Sequence, residues 1–251
     1  MTAIAFDLPE SIAEVRDGIR NFALQEVIPR HEKNRELLEN PRLKYEEDGR
    51  LSAPVRDLIK EIRMASARAG YYQMCVPEAL GGSGLGMQAY YVCWEELFHT
   101  CGPHNWMMLY ALSHWAFGPS RLLEKVTDRA REEILGPLMS GEKSMCFGLS
   151  EPGAGSDASM IKTRARKDGD GWVIDGRKIW TSNAPIADYC ILFAVTDSEK
   201  AAAKKGGISA FLVPTNAPGF TVQRVVNIAD GSNEILNKTI AQRLLKGDVE
   251  I

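Results

Sequence analysis

No stretch of about 18 consecutive apolar residues occurs, so the sequence offers no membrane-spanning helix. Cysteine is scarce. Cys75, Cys93, Cys101, Cys146 and Cys190 make five, an odd number without zinc-like spacing. They read as small buried hydrophobes in a reducing setting rather than as a disulfide frame. Neither sign of charge dominates: Lys plus Arg total 30, Asp plus Glu total 33, and the formal net charge is -3. That balance gives no electrostatic reason to expect nucleic acid or an anionic membrane as partner. Met1 to Glu14 lacks a basic start and a signal-type apolar core, and it carries Asp7, Glu10 and Glu14. The expectation is a cytoplasmic chain without a leader. The four histidines (His31, His99, His104, His114) show no metal-like pairing on one helix face, so each is expected on a helix surface or in the core. No Walker lysine follows a glycine loop. Gly84-Leu85-Gly86 and Gly153-Ala154-Gly155 each begin a dinucleotide-type pattern, yet neither has the third glycine in place or a strand-to-helix setting.

What is present is ordinary for a globular protein: 251 residues, 45% apolar and 25% charged, enough for two modest domains. The first 140 residues read as helical. Ile12, Val15, Ile19 and Phe22 recur at helix spacing behind Pro9, and Val55, Leu58, Ile59 and Ile62 repeat the pattern behind Pro54. Gly70 is the expected left-handed terminator of that second helix. The proline and glycines of Pro77 to Gly86 mark a loop. Further helices are expected at Met87 to His99, His104 to Ala116 and Asp128 to Leu138, with Met107 and Met108 filling core.

Near Ser144 the texture changes to short apolar runs between turn signals, which reads as β-structure. The expected strands are Met145 to Leu149, Thr163 to Arg166, Trp172 to Ile174, Lys178 to Thr181, Tyr189 to Val195, Ile208 to Val213 and Phe220 to Val225. Asp168 to Gly171 and Asp175-Gly176 are hairpin-type turns, and Ser198 to Gly207 is expected to be an exposed loop. A last helix is expected over Ser232 to Leu245, with Ile235, Leu236, Ile240 and Leu244 on one face.

Three segments carry the chemistry. The first runs Cys146-Phe147-Gly148-Leu149-Ser150-Glu151-Pro152-Gly153-Ala154-Gly155-Ser156-Asp157. The second is Gly176-Arg177-Lys178-Ile179-Trp180-Thr181-Ser182-Asn183, and the third Ala229-Asp230-Gly231-Ser232-Asn233-Glu234. In order and spacing they resemble the acyl-CoA dehydrogenase family, and with the Pro77 to Gly86 loop the resemblance covers nearly all of the chain. It implies an α+β fold: an N-terminal all-helical domain (1–140), a β-barrel-like middle domain for flavin and acyl-CoA (141–226), and a residual segment with one C-terminal helix (227–251). Most of the four-helix bundle that follows the family's β-domain is missing from the sequence, so a shortened form is expected.

The resemblance further implies FAD as cofactor and an acyl-CoA thioester as substrate, losing its α- and β-hydrogens. An electron-transfer flavoprotein or other acceptor, and a homo-oligomer, are the implied partners. Phe147, Leu149, Ser150, Gly155, Ser156, Trp180 and Ser182 match flavin or substrate contacts, as do Ser232 and Glu234 of the third segment. Asp230 stands at the position of the family's base, where many members carry Glu. Asp is shorter by roughly 1.5 Å of reach, and a misplacement near 1 Å can cost about a hundredfold in rate.

Chemistry supports these assignments and also supplies simpler ones. A flavin needs donors near the ring edge that accepts hydride, which Ser150 and Ser182 could supply, with Trp180 over a ring face. Gly155 and Ser156 permit close approach of a pyrophosphate or thioester. Yet Ser in turns commonly satisfies local backbone, Trp is more often core, and Asp230 serves equally as a helix N-terminal cap. Two rival functions stay open: an inactive relative that binds protein through an exposed sheet face, and a flavin-dependent monooxygenase of the same fold.

Overall fold

The helical half begins as its apolar spacing predicts. In the computed structural model, which describes residues 8–114 and 116–223, helix α1 (Glu10–Phe22) buries Ile12, Ile19 and Phe22 along one face. Pro9 sits just outside it, at the N-terminal cap. One π turn, Ala23–Val27, continues the helix. Short helices α2 (Ile28–Lys33), α3 (Arg35–Glu39) and α4 (Pro41–Lys44) follow. Helix α5 (Ala53–Arg68) starts with Pro54 in its first turn and buries Val55, Leu58, Ile59 and Ile62. Gly70 ends it at φ +84°, the left-handed cap expected there. Helix α6 (Gly86–Cys101) completes the bundle. Ile19, Ile59, Ile62, Leu97, Met107, Met108 and Leu112 form its core. Arg20 joins α1 to α6, donating to both carboxylate oxygens of Glu96 at 2.6 and 3.0 Å.

The helix expected over His104 to Ala116 is not there. Among the described residues of that span only Trp106–Tyr110 is helical, and it is a 3-10 turn. The reason lies in where its polar groups bond. Ser113 donates its N–H to the Tyr72 carbonyl at 2.9 Å and its hydroxyl to the Pro119 carbonyl at 2.6 Å. The Ala111 carbonyl accepts the Ser66 hydroxyl. Met107, Met108, Ala111 and Leu112 are buried and Leu109 is exposed, so the apolar spacing looks helical while these tertiary bonds draw the backbone out of a helix.

Helix α7 (Asp128–Met139) is capped by Thr127, whose hydroxyl oxygen accepts the Ala130 N–H at 3.3 Å. It leads into a mixed sheet of β1 (Met145–Gly148), β2 (Arg164–Asp168), β3 (Gly171–Asp175), β4 (Tyr189–Val195) and β5 (Ile208–Pro214). Strand β4 is the spine. β5 pairs antiparallel along its whole length on one edge. The other edge is shared: β1 pairs parallel with residues 189–192, and β2 meets it through Arg164↔Val195. β2 and β3 form the hairpin expected at Asp168 to Gly171. Among the described residues the sheet is open rather than closed into a barrel. Ile134 and Leu138 of α7 pack on Met145 and Ile191, with Val76, just ahead of the 77–86 loop, and Leu80 within it beside them.

Four local expectations are corrected. Lys178 to Thr181 forms no strand. Its backbone makes one bond to the β1 exit and then turns at Trp180. Residues 220–223 carry no strand, and the rest of Phe220 to Val225 lies outside the described residues. Asp175-Gly176 makes no hairpin; β3 ends there, and Gly176 packs against Thr163, whose Oγ1 stands 2.3 Å from where a Cβ would be. Ser198 to Gly207 holds a short helix, α8 (Ser198–Ala202), because the Asp197 carboxylate accepts the Lys200 N–H at 3.0 Å and Ala201 is buried. The C-terminal helix expected over 232–245 lies outside the described residues.

Candidate functional site

The first two motif segments meet at the end of the sheet. β1 delivers Leu149-Ser150-Glu151, and the stretch after β3 delivers Lys178-Ile179-Trp180. One backbone bond sets their register: Ile179 N–H donates to the Ser150 carbonyl at 2.9 Å. A buried carboxylate reinforces it. Glu151 accepts from Lys178 Nζ at 2.7 Å, the Thr163 hydroxyl at 2.5 Å, and the N–H groups of Lys162 and Thr163 at 2.6 and 2.9 Å. Burial alone raises a carboxyl pKa, but here the Lys178 ammonium, the Thr163 hydroxyl and the two N–H donors outweigh it and bring Glu151 down to about 2. A tight turn follows, in which Glu151 and Ala154 exchange both backbone bonds at 2.9 and 3.1 Å.

Beyond Lys178 the chain takes an unusual path. Trp180 has φ +58° and Asn183 φ +70°. The left-handed region costs a bulky residue on the order of 1–2 kcal/mol. Trp180 gains little packing in return, being 63% exposed. Asn183 is anchored, its Nδ2 donating to the Met145 carbonyl at 3.1 Å. Thr181 has a buried hydroxyl oxygen with no partner among the described residues, an arrangement that costs about 1–3 kcal/mol unless something supplies the bond.

The sequence-predicted contacts separate into three groups. Phe147 and Leu149 are half-buried in the sheet core: Phe147 lies 5.0 Å from Phe193, ring centre to centre, and Leu149 packs with Ala154 and Ile161. Ser150, Trp180 and Ser182 are gathered around the Ile179–Ser150 bond, Ser150 half-buried and the other two exposed. Gly155 and Ser156 are exposed on the loop that follows. Their N–H groups donate to nothing among the described residues. A Cβ on Gly153 or Gly155 would meet no atom within 4 Å, and neither has a left-handed φ, so the chain's own packing does not call for glycine there. Asp230, Ser232 and Glu234 lie outside the described residues. Unpaired N–H groups, an exposed indole and an orphaned hydroxyl oxygen suit an anionic, aromatic ligand such as FAD.

Sequence reasoning gave no role to Glu151, Lys178, Thr163 or Asn183. The available signal was one of two acids, Glu151 and Asp157, in the first segment and one of two bases, Arg177 and Lys178, in the second. A groove of about 970 Å³ between α1 and α6, lined by Arg16, Arg20, Gln88, Glu95, Glu96 and His99 among others, shares no lining residue with the motif segments. Among the described residues no helix is long and apolar enough to cross a membrane.

The model of the acyl-CoA dehydrogenase N-terminal domain matches residues 9–142, and that of the acyl-CoA dehydrogenase middle domain matches residues 146–234. The mitochondrial short-chain specific acyl-CoA dehydrogenase of Bos taurus is 36% identical over 222 residues, covering 86% of this chain and 47% of the relative. The caffeyl-CoA reductase-Etf complex subunit CarC of Acetobacterium woodii is 36% identical over 163 residues, 65% of this chain and 41% of the relative. Among solved structures, butyryl-CoA dehydrogenase from Megasphaera elsdenii superposes with a TM-score of 0.59 at 26% identity, covering 86% of this chain and 51% of that one. The chain spans about half the length of the curated relatives it matches.

Proposed function

The chain belongs to the acyl-CoA dehydrogenase family, and on that premise we propose that it is a flavoenzyme that binds FAD beside the Ile179–Ser150 bond and removes hydrogen from an acyl-CoA thioester. The observation that carries this reading is the meeting of the two motif segments around an indole held exposed at φ +58°. Trp180 covers one ring face. The Ser150 and Ser182 hydroxyls donate at the ring edge. The free N–H groups of Gly155 and Ser156 receive a pyrophosphate or thioester oxygen. Phe147 and Leu149 back the site from the sheet core. FAD, when bound, supplies the acceptor for the hydride that leaves the β-carbon. Asp230 takes the proton from the α-carbon, a task that suits a carboxylate in a dry setting where its pKa rises. Ser232 and Glu234 belong to the same proposal as further flavin contacts.

Substrate and partners follow from the relatives. An acyl-CoA is proposed because short-chain and butyryl-CoA dehydrogenases are among them. An electron-transfer flavoprotein is proposed as acceptor because one relative is named as part of an Etf complex. A homo-oligomer is proposed as the family membership implies. A reducing compartment, the cytoplasm, is proposed on the five free thiols.

The absorbance spectrum of the purified chain tests the reading. Flavin bands that bleach when butyryl-CoA is added are the expected result. A colourless chain that takes up no FAD at saturating concentration, alone or with a relative's C-terminal half added, overturns it.

A further inference from the structure

We propose that Glu151 and Lys178 are positioning residues for the flavin face, a claim that rests on the reading above. One ammonium group straddles Ser150. Lys178 Nζ donates to the Leu149 carbonyl at 3.1 Å and to Glu151 Oε1 at 2.7 Å, while the Ser150 carbonyl between them accepts the Ile179 N–H at 2.9 Å. Three consecutive residues of one segment are thereby held by two consecutive residues of the other. Glu151 is buried and Lys178 half-buried, with their side chains 7% and 9% exposed. The remaining acceptor sites of Glu151 are taken by Lys162 and Thr163, at the root of β2. The carboxylate therefore joins the loop after β1, the start of β2 and the stretch before Trp180 into one unit.

Its effect reaches Trp180 because little else holds that residue. Between Lys178 and the Asn183 anchor, the side chains of Trp180, Thr181 and Ser182 make no hydrogen bond to any described residue. Short backbone bonds from Ser182 to Trp180 and from Ala184 to Thr181 shape the turn but do not attach it to the sheet. Where the indole and the Ser182 hydroxyl stand is thus set by the two anchors at either end. One of these is the Glu151–Lys178 pair.

Two measurements on wild type and Glu151→Gln test the pair. One is FAD affinity by quenching of flavin fluorescence. The other is the fluorine NMR line of Trp180 in the apo chain labelled with fluorotryptophan, assigned by Trp180→Phe. The expected result is a loss of affinity of about tenfold to a hundredfold, with a shifted or broadened Trp180 line below the melting range. A purely structural pair would lower the melting midpoint yet leave the line and the affinity of the folded chain at wild-type values, and that result overturns the proposal. If the wild-type chain takes no FAD, the proposed function falls and the Trp180 line decides alone: unmoved, the positioning role falls with it; moved, the anchoring stands. Should Glu151→Gln fail to fold, the double variant Glu151→Gln/Lys178→Met, which leaves no unpaired ammonium, is read in the same way.

Discussion

Glu151 links folding to pH. Its ordinary pKa of 4.5 falls to about 2 in the folded chain, so the native state holds the carboxylate against protons that the unfolded chain accepts. The stabilisation, about 3 kcal/mol as an order of magnitude, is fully present above pH 4.5. It shrinks as pH falls toward 2, because the unfolded state then binds the extra proton. Denaturant midpoints measured between pH 6 and pH 3 (about that window) should therefore decline more steeply for the wild type than for Glu151→Gln. Equal slopes would show that this carboxylate is not the linked group. Sequence alone could not identify it. Its partners Thr163 and Lys178 stand 12 and 27 positions away, and a lone Glu beside a proline carries no local sign of burial. Motif order singled out Ser150, Trp180 and Ser182 as candidates, and the fold brings their segments together at the Ile179–Ser150 bond. That Trp180 lies exposed in a left-handed turn was not legible, since the β-branched and aromatic residues Ile179, Trp180 and Thr181 equally suit a strand.

Helix α7 shows what an element contributes. Its stripe of Ile134 and Leu138 is what the helical half places against the sheet, and Leu138 is fully buried among Val76, Leu80, Met145 and Ile191. Leu138→Ala should cost about 3 kcal/mol, the transfer term plus a cavity that the sheet cannot close. Chemical denaturation would show it, and a loss below about 1 kcal/mol would mean that the interface relaxes. α1, α5, α6 and α7 were legible because each has one wet face and one dry face, which prints a 3.6-residue period on the sequence. β4 and β5 were legible as apolar runs between turn signals. The 104–116 segment was not, because the Ser113 N–H and hydroxyl and the Ala111 carbonyl bond to Tyr72, Pro119 and Ser66 rather than along a helix. α8 was missed for a different reason. Its composition is that of a loop, and only the Asp197 cap and the buried Ala201 turn it into a helix.

The two halves of the described molecule are joined by more than α7. Buried Arg63 of α5 donates to the Gly141 carbonyl at 3.1 Å, just ahead of β1, and Met145 donates its N–H to the Phe117 carbonyl at 2.8 Å. Gly141 sits at φ +73° with no room for a Cβ, which would stand 2.7 Å from the Arg63 backbone. A single cooperative transition is expected. Helical circular dichroism and a fluorine signal specific to Trp172 in β3 should give coincident midpoints in wild type, and should move together in Leu138→Ala. Separate midpoints would mean that the halves unfold independently.

The hairpin of β2 and β3 is paired with the rest of the sheet at one place and also packs on β5 through Trp172 and Phe211, whose ring centres stand 5.2 Å apart. Among the described residues it joins β4 through Arg164↔Val195, and its tip, Gly169-Asp170, is exposed. Extra peptide inserted between those two residues would project from the far end of a lever whose near end is gripped by Glu151. An affinity handle or a fluorophore could be carried there with the spine strand and its hydrogen-bond ladder left as they are.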